Sequence, residues 1–168
     1  MDEGLDTGDT LSMQSLPITE VTTTLILHDQ LSALGADLIV STLLNLSAIP
    51  PTPQPEEGIT YAHKLVKSEG YLDWNLSAIE LKRKISALNP WPGTWFDHQG
   101  APIKVLEASV VPIADKPGEF LQTDEHSWIV CCGEKSLALE KVQKPGSKPL
   151  LTAEFLRGYP VIHKNRTY

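Results

Sequence analysis

Four prolines (Pro50, Pro51, Pro53 and Pro55) crowd residues 47–60, SAIPPTPQPEEGIT, and neither a helix nor an inner strand can run through such a segment. Each proline fixes its own backbone angle and biases the preceding residue towards extended conformations, so the stretch is expected to be an extended linker. Folded units must lie on either side of it. The charge divides at the same place. Residues 1–59 contain nine acids and no Lys or Arg, whereas all 14 basic residues lie from Lys64 onward, against 12 acids. Within a net charge of −7, the first part carries −9 and the remainder +2. This asymmetry predicts two units with different roles, the second better suited to a polyanion. A local basic face releases counterions, so an acidic total does not exclude nucleic acid.

Before the linker, residues 10–18 (TLSMQSLPI) predict a short strand. Leu27, Leu31 and Leu34 recur at helical spacing, and Gly35 is placed to end that helix. Ile39, Leu43 and Leu46 predict a second helix directly after it. A strand and two helices cannot enclose a core, so this segment resembles the end of something larger. Beyond the linker, Ser77 and Glu80 form a capping box opening a helix. Leu81, Ile85 and Leu88 give it a buried stripe, and Pro90 and Pro92 end it. Strands are then predicted over 94–98, 102–111, 118–122, 127–132 and 136–142, with turns at Gln99-Gly100, Pro117-Gly118, Gly133 and Lys144-Pro145-Gly146. Five short strands in so few residues suit a small barrel or sandwich. A last helix is expected over 152–157, with Thr152 as its cap.

Few chemical motifs are present. The opening MDEGLDTGD sets Asp2, Asp6 and Asp9 among glycines, but the spacing is not that of a calcium loop. The loop is either a polar turn or a device in which Gly4 and Gly8 aim one carboxylate into a pocket. The five histidines show no metal-ligand spacing, and no metal site is expected. No nucleophile elbow, dinucleotide fingerprint or P-loop occurs. Trp74, Trp91, Trp95 and Trp128 are packing residues or, for one of them, a platform for a nucleotide base. Lys64, Lys67, Lys82, Arg83 and Lys84 are either a solvated face or a nucleic-acid contact.

Three of these segments belong together. MDEGLDTGDTL, YAHKLVKSEGYLDW and NPWPGTWF, in this order and with the proline linker after the first, resemble the C-terminal half of the methionyl-tRNA formyltransferases. The resemblance runs from Asp2 to about Val142. It implies an α+β architecture: a C-terminal remnant of a Rossmann-like formyltransferase domain (strand plus two helices, 1–47), a linker (48–70), and an OB-like small β-barrel with flanking helices that binds tRNA (71–168). The reaction implied is transfer of a formyl group from 10-formyltetrahydrofolate to the α-amino group of methionyl initiator tRNA. Of the family's catalytic Asn, His and Asp, only the Asp has a counterpart, Asp6. Asp2, Gly4 and Leu5 would line the folate pocket, and Lys64, Lys67, Lys82, Arg83 and Lys84 would face the tRNA. The Asn, the His and the SLLP stretch do not occur in these residues. Met1 therefore resembles an internal methionine of a longer protein, and the isolated chain is expected to be inactive. A stand-alone tRNA-binding module, or a folate-dependent formyltransferase with another acceptor, is the alternative.

The remaining features set the expected context. An apolar fraction of 41% with 21% charged residues is that of a globular chain, not a disordered tail. The acidic opening has no signal-peptide pattern, and no apolar run is long enough to span a membrane. Cys131 and Cys132 are the only cysteines; their adjacency disfavours a disulfide and a CxxC site. A reducing, cytoplasmic setting is expected, with no membrane partner and a monomer at full length.

Overall fold

The computed structural model describes residues 3–122 and 126–159. It divides into two compact units, Met1–Lys64 and Leu65–Tyr168.

The first unit is built around one helix, α1 (Thr24–Leu44). The Thr23 hydroxyl caps it, accepting the Ile26 N–H at 3.3 Å. The two helices expected here are thus a single one, because Gly35 stays within it and adopts no positive φ. A glycine inside a helix costs only about 1 kcal/mol relative to alanine, and no proline follows until Pro50. The strand expected over 10–18 is also absent. Thr10 alone pairs, exchanging main-chain hydrogen bonds of 2.8 and 2.9 Å with Thr52. A strand needs a continuous partner edge, and the proline-rich segment offers it only at that residue. The first unit is therefore a bridged loop, one long helix and a single 3-10 turn at Leu46–Ala48, not a strand plus two α-helices.

In the second unit the capping box forms as the Ser77–Glu80 spacing predicts. The Ser77 hydroxyl accepts the Glu80 N–H at 3.2 Å, and Glu80 Oε2 accepts the Ser77 N–H at 3.0 Å. It opens α2 (Ala78–Leu88), which buries Ala78, Leu81, Ile85 and Leu88. Among the described residues, six strands follow: β1 (Thr94–His98), β2 (Ala101–Val111), β3 (Phe120–Leu121), β4 (Ile129–Cys131), β5 (Ser136–Gln143) and β6 (Leu150–Leu151). They form one antiparallel sheet in the order β1-β2-β5-β4-β3. β5 is the hub: one edge takes β2, and the other takes β4 at residues 136–138 and β6 at 141–142. A register shift around Glu107 bends β2.

The core packs α2 against this sheet, and includes Leu81, Ile85, Phe96, Val105, Trp128, Leu137 and Val142. Trp128 is fully buried and stacks at 5.6 Å on Phe155 of α3 (Thr152–Gly158). Thr152, expected as the cap of α3, is instead its first helical residue, and its hydroxyl donates to the Leu139 carbonyl at 2.6 Å. That bond satisfies a buried strand carbonyl and pins α3 to β5.

Both cysteines are buried, and neither forms a disulfide. Burial pushes the Cys132 thiol up to about 11, so it stays protonated at neutral pH.

Candidate nucleic-acid interface

The segment NPWPG joins α2 to β1 and sets the geometry of the candidate site. Asn89 Nδ2 donates to the carbonyls of Ile85 (2.8 Å) and Val105 (3.1 Å), and the Thr94 hydroxyl donates to the same Val105 carbonyl at 2.6 Å. These bonds clasp the end of α2 to β1 and β2. Gly93, at φ 85°, turns the chain between them. Trp91 is left exposed, while Pro92 and Trp95 become walls of a cleft.

That cleft has a volume of about 790 Å³. Lys67 enters it from the short helical turn Lys67–Gly70, Lys104 from β2, and Lys144 from the turn after β5. The antiparallel register sets Lys104 opposite Gln143, which brings Lys144 beside it. The Lys144 ammonium rests 4.8 Å from the centre of the Tyr159 ring. Among the described residues of the lining, Asp97 is the one carboxylate beside three lysines. Trp95 is fixed by its edge: Nε1 donates to the Lys67 carbonyl at 3.4 Å, and the ring meets Tyr71 edge-on at 5.0 Å.

The residues expected to face tRNA have different surroundings. Lys67 lies in the cleft. On α2, Lys84 Nζ donates to the Tyr71 carbonyl at 2.7 Å, Lys82 Nζ donates to the Ser86 hydroxyl at 2.8 Å, and Arg83 is exposed. Lys64 is exposed at the end of the first unit. Lys104 and Lys144 were not singled out by the sequence, because forty residues separate them. The only signal was the in–out alternation of Ile103, Lys104 and Val105, which turns Lys104 to solvent.

The acidic loop belongs to the first unit. Asp2 lies outside the described residues. Leu5 is 91% exposed, and Asp6, also exposed, holds a left-handed φ of 59° that aspartate tolerates better than most residues. A Cβ on Gly4 would overlap the Thr7 side chain, so a larger residue there would force Thr7 to shift. Gln54, from the proline-rich segment, donates its amide to the carbonyls of Asp6 (3.0 Å) and Gly8 (2.7 Å). The expected linker thus also buckles the loop that carries Asp6. Among the described residues, no three His, Cys, Asp or Glu are placed to hold a metal ion, and no helix is long and apolar enough to cross a membrane.

A small antiparallel-sheet domain with a capped helix and a lysine-lined cleft, preceded by a helical segment with an acidic loop, is the class of structure these residues define. Residues 64–160 match the family described as formyl transferase, C-terminal domain, and the chain belongs to that formyltransferase family. It is 49% identical over 164 residues to the methionyl-tRNA formyltransferase of Paramagnetospirillum magneticum, covering 96% of this chain and 53% of that protein. It is 42% identical to the methionyl-tRNA formyltransferase of Ralstonia nicotianae, covering 96% and 51%. The chain thus spans about half the length of the curated relatives it matches, and corresponds to their C-terminal part. Among solved structures, HypX from Aquifex aeolicus in complex with tetrahydrofolic acid matches with a TM-score of 0.67 at 20% identity, over 92% of this chain and 28% of that one. At that identity the match speaks for the fold alone.

Proposed function

We propose that this chain is the tRNA-holding part of a methionyl-tRNA formyltransferase. The observation that carries this reading is the 49% identity to such an enzyme along 96% of the chain. In this reading the second unit is an OB-like barrel that grips the initiator tRNA, and residues 1–47 complete a Rossmann-like catalytic domain. Lys64, Lys67, Lys82, Arg83 and Lys84 meet phosphates. The whole protein transfers the formyl group of 10-formyltetrahydrofolate to the methionyl α-amine, in the cytoplasm and as a monomer.

Asp6 is the catalytic carboxylate of this scheme, with Asp2, Gly4 and Leu5 beside the folate. A carboxylate next to a histidine fixes its tautomer and stabilises its cation. The pair can then take the proton released when the amine attacks the formyl carbon, while a donor steadies the oxyanion. The sequence given has Asp6 but neither the Asn nor the His of that set, so a polypeptide of these 168 residues binds tRNA without formylating it.

Filter retention of tRNA at several salt concentrations tests the binding role. Lys64→Ala, Lys67→Ala and Arg83→Ala are each expected to lower the slope of log K against log salt by roughly one unit or slightly less. An unchanged affinity and slope in all three overturns the assignment.

A further inference from the structure

We propose that the cleft walled by Trp95 is a subsite for one unstacked nucleotide of a single-stranded RNA segment. The proposal deepens the tRNA-holding reading and rests on it for the nature of the partner.

The cleft volume of about 790 Å³ lies within the range of small-molecule pockets and exceeds what a single phosphate fills. Its wall is an indole held in place at its edge, by the Nε1–H to Lys67 carbonyl bond and by the Tyr71 ring. Trp95 lines the cleft, and such anchoring removes conformational freedom that base stacking would otherwise have to freeze. Lys67, Lys104 and Lys144 approach from three separate elements, as needed to meet the phosphates on either side of one base. Asp97 adds an acceptor suited to a ribose hydroxyl or a base N–H. A cleft built only for phosphate has no use for a carboxylate, which repels it.

The partner must be single-stranded at the contact. Bases within an A-form duplex are stacked and cannot present a ring face to a side chain, whereas loops and ends can. Stacking on an aromatic tolerates every base, so the subsite distinguishes strand state more than sequence.

The test uses the 168-residue chain with an eight-nucleotide oligoadenylate, an A-form RNA duplex and intact tRNA as probes. Trp95→Leu is expected to weaken oligoadenylate binding at least roughly five-fold, and Trp95→Phe to retain most of it. Duplex binding should change less than about two-fold in both. Lys104→Ala combined with Lys144→Ala should lower the oligoadenylate salt slope by roughly 1.4 units. With the unaltered chain, an oligomer carrying 2-aminopurine should be quenched on binding, a readout that does not depend on a variant folding. Absence of quenching, or equal loss of duplex and oligoadenylate binding in Trp95→Leu, overturns the proposal. Tight tRNA binding that ignores Trp95 refutes the subsite and leaves the tRNA reading standing. Oligoadenylate quenching without tRNA binding does the reverse.

Discussion

Gly70 packs against the carbonyl oxygen of Gly93 so closely that a Cβ at Gly70 would overlap it. One glycine ends the Lys67–Gly70 turn and the other ends NPWPG, so this contact fixes where Lys67 stands relative to Trp95. Two glycines 23 positions apart in the sequence therefore make the two halves of one joint.

Gly70→Ala should separate the halves. The added methyl meets main chain, which cannot rotate away as a side chain can, and overpacking of this kind costs about 1–3 kcal/mol. Urea unfolding followed by circular dichroism should show a lower midpoint with the slope unchanged. RNA affinity should fall too, since the turn carries Lys67. A midpoint equal to that of the unaltered chain would mean that the turn moves freely and does not fix the cleft.

Glu80 gives a pH dependence whose sign follows from its partners. The Ser77 hydroxyl, then the Ser77 main-chain N–H, hold its carboxyl below the ordinary value of 4.5. A lowered folded-state value means that the cap's contribution is complete above 4.5 and is lost as pH falls through the folded-state value. Glu80→Gln should abolish this part of the acid dependence of the melting temperature and leave the neutral-pH value slightly reduced. An identical acid profile in the variant would show that the ionised carboxylate contributes nothing to the cap.

The features legible in the sequence were those with local causes. β1 lies at the residues expected for it because Gly93 and the Gln99-Gly100 turn bound a Trp-Phe pair. α2 is announced by its box and stopped by its prolines. β6 was missed, since two residues, Leu150 and Leu151, display no period. Gly35 suggests a break within α1 because glycine so often terminates helices, but none of the left-handed geometry of a terminus accompanies it. The cleft was only half visible. Lys67 stands in a motif with Lys64, but Lys104 and Lys144 come to line one cleft through the pairing of β2 with β5, a long-range fact that spacing does not encode.

The two units should differ in how readily they open. β2 and β5 pair along most of their length over a buried core, so their amides exchange only when the sheet unfolds. In α1, by contrast, Thr42 is the sole buried residue among those described, and Leu25, Leu31, Ile39, Val40, Leu43 and Leu44 are each about half exposed or more. Most helical stability comes from packing an apolar face, so this helix rests largely on its cap and its propensity. Hydrogen exchange should show α1 amides protected far less than those of Leu137 and Leu139. Gly35 supplies the control. Nothing lies within 4 Å of where its Cβ would stand, so Gly35→Ala adds helix propensity without a new contact. The gain of about 1 kcal/mol corresponds to exchange slowed roughly five-fold across α1, with β2 and β5 unaffected. If α1 already exchanges as slowly as the sheet, its apolar side chains are covered in solution, and Gly35→Ala will change nothing there.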